Sequence, residues 1–140
     1  IELVGHFDGS AWYDDSKATS PHAALTAIRS FENIVLIAGG RNKDLDLTQM
    51  ATEPKRMTGV VAIGDDAEAI RRAFEGVCVV RDATSMDEAI VLAHGMSHGG
   101  AIVLLSPGCT SYDWYNNYNE RGDDFQDKVR KHFNRIETSS

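Results

Sequence analysis

Short, unbroken apolar runs recur along the chain: NIVLIAGG from Asn33, GVVAIG from Gly59, VCVV from Val77 and AIVLLSP from Ala101. Continuous rather than alternating apolarity suits strands covered on both faces. The stretches between these runs carry helix signals. Ser20-Pro21 sets a cap and a first-turn proline ahead of HAALTAIRSF, DDAEAIRRAF opens on acids, and TSMDEAIVLAHGM offers Thr84 or Ser85 as a cap. DDFQDKVRKHFNRIE runs from acids to bases, in the sense that complements a helix dipole. This alternation predicts an α/β fold: an open, mostly parallel, doubly wound sheet with helices on both faces. The opening IELVGHFDGSAWYDD differs. Its Asp8-Gly9 pair supplies turn chemistry between two strand-like pieces, which predicts a short N-terminal antiparallel hairpin feeding the first helix.

Composition narrows the picture. A chain of 140 residues, 42% hydrophobic and without internal repeats, is expected to form a single domain over 1–140. A formal charge of −7 argues against nucleic acid and anionic membrane as partners, since both require clustered positive charge, so any anionic ligand must be held locally. Cys78 and Cys109 supply neither a disulfide framework nor metal-ligand spacing, which fits a reducing, cytoplasmic compartment. No apolar stretch approaches the ~18 residues that span a bilayer, and IELVGHFDG lacks the features of a signal peptide. The chain opens on Ile1 rather than Met, in a strand-like run, and is expected to be a segment of something longer.

In sheets of this kind ligands bind beyond the carboxyl ends of the strands, and three loops there are unusual. The first holds Asp14, Asp15, Ser16, Lys17 and Thr19 just ahead of the Ser20-Pro21 helix start, where free backbone N–H groups and the helix dipole favour a carboxylate or phosphate. A solvated turn with its capping residues explains the same letters equally well. The second, AGGRNKDLD from Ala38, joins Gly39-Gly40 to Arg41 and Lys43; a plain strand-end turn is its simpler explanation. Neither a P-loop nor a G-x-G-x-x-G pattern is present, so the chain encodes no nucleotide-triphosphate cradle. The third, LLSPGCTSYDWYNNYNERGDDF from Leu104 to Phe125, combines Thr110 and Ser111 with Tyr112, Trp114, Tyr115 and Tyr118 ahead of Glu120-Arg121-Gly122. Aromatics so spaced more often seal a core edge than hold a ligand, yet so polar a loop is costly to keep ordered without a purpose. His94 and His98 stand four apart but lack a third ligand, so a helix end is the better reading and no metal site is expected. Cys109, without a His partner, reads as a turn residue.

Taken together and in order, DDSKATSPHAAL, IAGGRNKDLD and LLSPGCTSYDWYNNYNERGDDF resemble the C-terminal domain of the Mur ligases of peptidoglycan synthesis, in the branch that adds D-glutamate to UDP-N-acetylmuramoyl-L-alanine. The likeness runs from about Ile1 to about Arg130. It implies a Rossmann-like domain that works beside a UDP-sugar domain and a central ATPase domain, both absent from this chain. It further implies a bacterial, cytoplasmic, monomeric protein that uses ATP and Mg2+, forms an acyl phosphate on the UDP-muramoyl-alanine substrate and lets the amine of D-glutamate attack it. By the resemblance, Lys17 is catalytic and, with Asp15, faces ATP. Thr19 and Lys43 would hold one carboxylate of D-glutamate, and Ser111 with the backbone of Tyr112 and Tyr118 the other. The isolated domain is then expected to be inactive. Tyr118 stands where the family usually has Phe, Gly108 where Ala is common, Ser20 where Asn is, and Arg41-Asn42 where Asp-Gly is; Arg41 inherits no role. The alternatives are a Mur-type or folylpolyglutamate-type ligase domain for another amino acid, and a non-catalytic Rossmann-like binding module.

Overall fold

The computed structural model describes residues 1–139. Six strands, β1 (Glu2–Phe7), β2 (Ser10–Asp14), β3 (Ile34–Gly39), β4 (Met57–Ile63), β5 (Val79–Asp82) and β6 (Ile102–Leu105), form one sheet in the order β1-β2-β6-β3-β4-β5. Only the β1–β2 pair is antiparallel; every other neighbouring pair is parallel. The hairpin turns through Asp8 (φ 50°) and Gly9 (φ 81°), two consecutive left-handed residues as a two-residue turn of matching twist requires.

Four helices, α1 (Pro21–Ile28), α2 (Ala67–Ala73), α3 (Met86–Met96) and α4 (Tyr118–Ser139), cover the sheet. Alternation along the strands divides the core in two. Val35, Ile37, Val61, Ile63, Val103 and Leu105 face α3 and α4 through Ala89, Ile90, Phe125 and Val129. Ile34, Leu36, Ala38, Val60, Ala62 and Leu104 face α1 and α2 through Ala24, Ile28, Ile70 and Phe74. Both sets of strand residues are buried, which is why the runs read as continuously apolar. Full burial of a Leu or Ile side chain contributes about 1.5–3 kcal/mol, so the central strands dominate cohesion.

The predicted caps hold. Ser20 Oγ accepts from Ala23 N at 3.3 Å, and Ser85, rather than Thr84, caps α3 by accepting from Glu88 N at 3.1 Å. Three expectations need correction. The VCVV run lies partly outside its strand: β5 begins at Val79 and ends on Arg81 and Asp82, is an edge strand paired only with β4, and leaves Val79 59% exposed. Charge on an edge discourages further pairing, and Arg71 meets Asp82 at 2.8 Å there. The β3–β4 connection holds two short 3₁₀ turns, Leu47–Ala51 and Pro54–Arg56, in which Leu47 and Met50 are buried in the core and Ala51 packs against it. Finally, α4 starts at Tyr118, so YNERG belongs to a helix rather than to the third loop.

The carboxyl ends of β2, β6, β3 and β4 lie along one edge of the sheet. Between β6 and β3 the chain's lateral progression reverses, which opens the crevice where ligands of doubly wound sheets sit.

Candidate functional site

The first loop leaves β2 under tight control. Asp15 N–H donates to Leu105 O at 2.7 Å, extending the β2–β6 ladder by one bond, and Asp14 Oδ1 accepts from Ser16 N at 2.9 Å in a local side-chain turn. Asp15 is 6% exposed, and its Oδ2 accepts from the buried Ser106 hydroxyl at 2.9 Å. Lys17 is exposed and joins no ion pair among the described residues. It borders a cavity of about 360 Å³ whose wall includes Glu2, Asp14, Asp15, Tyr118 and Asp123. Thr19 is half-buried; with Ser20 making the cap, its hydroxyl has no hydrogen bond among the described residues.

The second and third loops are joined backbone to backbone. Arg41 and Thr110 exchange both of their amide hydrogen bonds at 3.0 Å, Gly39 N–H donates to Pro107 O at 3.0 Å, and Gly108 N–H donates to Ala18 O at 2.9 Å, which brings in the first loop. The double glycine permits this close approach of backbones. Gly39 (φ 131°) and Gly40 (φ 132°) adopt backbone angles that other residues avoid, and a Cβ on them would lie 2.1 Å from Ile63 O and 2.2 Å from Thr110 O. Asp66 Oδ2 accepts from Asn42 N at 2.6 Å and Asp113 Oδ2 from Asp65 N at 2.8 Å, so these acids bind loop to loop. Arg41 is exposed and meets Asp65 at 3.3 Å; Lys43 is exposed with no ion pair among the described residues.

Ser111 is 3% exposed. Its carbonyl accepts from Trp114 N at 3.2 Å and Tyr115 N at 2.8 Å, closing the turn, while its hydroxyl bonds to nothing among the described residues. Tyr112 and Tyr118 are 59% and 43% exposed, so neither seals the core. Trp114 and Tyr115 do pack against it, and the Tyr115 hydroxyl donates to Asp124 Oδ2 at 2.5 Å; burial, then that bond, raises the phenol's pKa. Of the proposed ligand residues, Asp15, Lys17 and Tyr118 share the one cavity. Thr19, Lys43, Ser111 and Tyr112 lie outside it, on the stitched loops.

Arg121 gave no signal of burial in the sequence, yet it is 1% exposed. Its Nε donates to Ser16 Oγ at 2.9 Å, Nη2 to Ser16 O at 2.6 Å and Nη1 to Cys109 O at 3.1 Å. Burial lowers its pKa to about 10, so it remains a cation at neutral pH. Burial, then Asp66 nearby, pushes the Cys109 thiol up to about 12, which leaves it un-ionised and unreactive as a nucleophile.

His94, His98 and His132 lie at the opposite end of the sheet, beside the β1–β2 turn. His94 Nε2 meets Asp8 Oδ2 at 2.8 Å and its Nδ1 meets His132 Nε2 at 3.0 Å, so both ring nitrogens are engaged. Among the described residues no group of three or more His, Cys, Asp or Glu side chains is arranged to hold a metal ion. Nor is any helix long and apolar enough to cross a membrane.

A mostly parallel, doubly wound sheet with an antiparallel N-terminal hairpin places the chain in the Rossmann-like α/β class. Comparison with known proteins gives the family. The family model for the Mur ligase glutamate ligase domain matches residues 1–109, and the chain belongs to that family. Similar curated proteins are the UDP-N-acetylmuramoylalanine-D-glutamate ligases of Aquifex aeolicus, 36% identical over 96% of this chain and 33% of its relative, and of Bdellovibrio bacteriovorus, 39% identical over 94% and 29%. That of Chlorobium limicola is 42% identical over 86% and 26%. The chain thus spans between about a quarter and a third of the length of these relatives. In fold it is similar to a domain assigned to a UDP-N-acetylmuramate:L-alanyl-γ-D-glutamyl-diaminopimelate ligase of Haemophilus ducreyi, with TM-score 0.59, 13% identity, and 92% of this chain and 98% of that one covered. A murein peptide ligase of Psychrobacter arcticus gives TM-score 0.53 at 17% identity, with 90% of this chain and 29% of that one covered.

Proposed function

We propose that this chain is the amino-acid-binding domain of an ATP-dependent ligase that adds D-glutamate to UDP-N-acetylmuramoyl-L-alanine in the bacterial cytoplasm. The observation that carries the reading is the set of unpaired groups on the three stitched loops: the Thr19 and Ser111 hydroxyls and the Lys43 ammonium, each without a partner among the described residues. A dicarboxylate amino acid needs donors for both ends, and a site that hydrogen-bonds its ligand rejects analogues that leave those groups bare. Thr19 and Lys43 would hold one carboxylate, and Ser111 with the Tyr112 and Tyr118 backbone the other.

The Asp15 cavity fits one end of ATP better than the other. Its wall carries Glu2, Asp14, Asp15 and Asp123 against the single side-chain cation Lys17, which suits sugar hydroxyls and repels a triphosphate. ATP, when bound, supplies the phosphoryl group that activates the acid. Asp15, held by Ser106, would accept from a ribose hydroxyl, and Lys17 at the rim is free to reach the acyl centre. The rest of the site, magnesium ligands included, falls to the central domain. This domain binds the amine-bearing substrate and orients it for attack, a positioning role completed by closure against its neighbour.

The test is a heteronuclear NMR titration of the chain with D-glutamate against L-glutamate and L-lysine. Shifts at Thr19, Lys43 and Ser111 that favour D-glutamate support the reading. Shifts centred elsewhere, or equal for L-lysine, count against it and favour a binding module of another kind.

A further inference from the structure

The most buried charge among the described residues is one the proposed chemistry leaves unused. Arg121 is 1% exposed and appears in none of the ion pairs among the described residues; its three hydrogen-bond acceptors, Ser16 Oγ, Ser16 O and Cys109 O, are all neutral. For cohesion alone this is a poor choice, since desolvating a cation costs more than neutral acceptors return and an apolar side chain of similar volume packs at less expense. What a guanidinium provides is a rigid planar fork that fixes the relative placement of its acceptors, which an ammonium or an alkyl chain does not.

Those acceptors belong to two different loops of the site. Ser16 stands between Asp15 and Lys17, and Cys109 is followed by Thr110 and Ser111. The Ser16 hydroxyl, having accepted from Arg121 Nε, directs its own proton to Tyr118 O at 2.7 Å, so the chain Arg121 to Ser16 to Tyr118 runs through one oxygen. Gly122 lets the helix carrying Arg121 press against the same loop: a Cβ there would lie 2.8 Å from Asp14 Oδ2 and 3.2 Å from Ser16 Cβ. Gln126, a turn further along α4, donates to Asp14 Oδ2 at 2.6 Å.

We infer that Arg121, through Ser16, is a positioning residue that sets the separation of the Lys17 loop from the Ser111 loop and so aims the bound amino acid at the activated acid. The inference rests on the ligase reading above. Arg121 touches no substrate; it acts on the groups that do.

The experiment is steady-state kinetics of the complete protein carrying this domain, comparing Arg121→Met, Arg121→Lys and Ser16→Ala with the unmodified enzyme and with Lys131→Ala, an exposed control. Misaligned loops raise KM for D-glutamate about ten-fold or more and lower kcat in Arg121→Met. Arg121→Lys, which keeps the charge but not the fork, falls between that variant and the unmodified enzyme. Ser16→Ala retains the two carbonyl contacts of Arg121, and therefore the fold, but cuts the link to Tyr118; it too raises KM for D-glutamate, which keeps the test decisive should Arg121→Met not fold. Folded variants with KM and kcat within about two-fold of the unmodified enzyme overturn the positioning role alone. No D-glutamate ligation by the unmodified enzyme overturns the ligase reading and the positioning role with it.

Discussion

Arg41 and Thr110, 69 residues apart, exchange both backbone hydrogen bonds as an isolated bridge at 3.0 Å, and Gly40 makes their approach possible. A side chain at Gly40 would run into Thr110 O while also occupying a left-handed backbone conformation. Gly40→Ala is therefore expected to lose about 1–3 kcal/mol of stability, read by urea denaturation, and to weaken amino-acid binding by parting the second and third loops.

Lys43 makes no ion pair among the described residues, so its removal leaves the fold unchanged. Lys43→Ala should keep the melting temperature of the parent and raise KM for D-glutamate about 10- to 150-fold, the loss of one charge-assisted hydrogen bond. Ser111→Ala should act in the same direction through a neutral bond, about five-fold.

Trp12 is completely buried between Phe125 and Phe133, and its Nε1 is a buried polar atom with no hydrogen-bond partner among the described residues. Trp12→Phe removes that orphaned donor along with some packing and should cost far less than Trp12→Ala, for which about 3–5 kcal/mol is expected. Equal losses in urea denaturation would show that the indole nitrogen is not the liability it looks.

His132 titrates below the usual imidazole range, chiefly through burial, with His94 and Arg135 adding repulsion. The folded state therefore resists its protonation: its contribution to stability is present above the unfolded pKa of about 6.5 and is lost as pH falls through the lower folded value. Across the cluster Asp8, with its own pKa held down by the bond to His94 and by His98 nearby, keeps its contribution until the pH drops below the carboxylate range. Denaturation midpoints should fall between pH 7 and pH 5, and His132→Asn should flatten that slope.

Cys109 is 1% exposed with its thiol pushed up to about 12, and half-buried Cys78 is pushed up to about 11 by burial. Native protein at pH 8 should react with iodoacetamide far more slowly than unfolded protein at either position, by mass spectrometry.

The parallel sheet, the hairpin turn and two helix caps were legible because each rests on a local signal: doubly buried strands read as unbroken Val and Ile, Asp8-Gly9 favours left-handed pairs, and Ser-Pro and Ser-Met-Asp-Glu mark helix starts. The position of β5 was not, because VCVV looks central while its pairing on one side only is a tertiary fact. The start of α4 was obscured by Tyr118 to Gly122, whose aromatic and glycine content reads as loop until Arg121 is seen buried on Ser16. Residues of the three loops were visible as a set only through their resemblance to a family. That Asp66, Asp113 and Arg121 tie those loops together depends on partners 12 to 105 residues away, which no local pattern encodes.

The most direct measurement is ADP release by the complete protein carrying this domain, with ATP, magnesium, UDP-N-acetylmuramoyl-L-alanine and one amino acid at a time. Release that depends on D-glutamate, with L-glutamate and L-lysine inert, is the predicted result. No release with D-glutamate, or equal release with L-lysine, would contradict a D-glutamate site on these three loops.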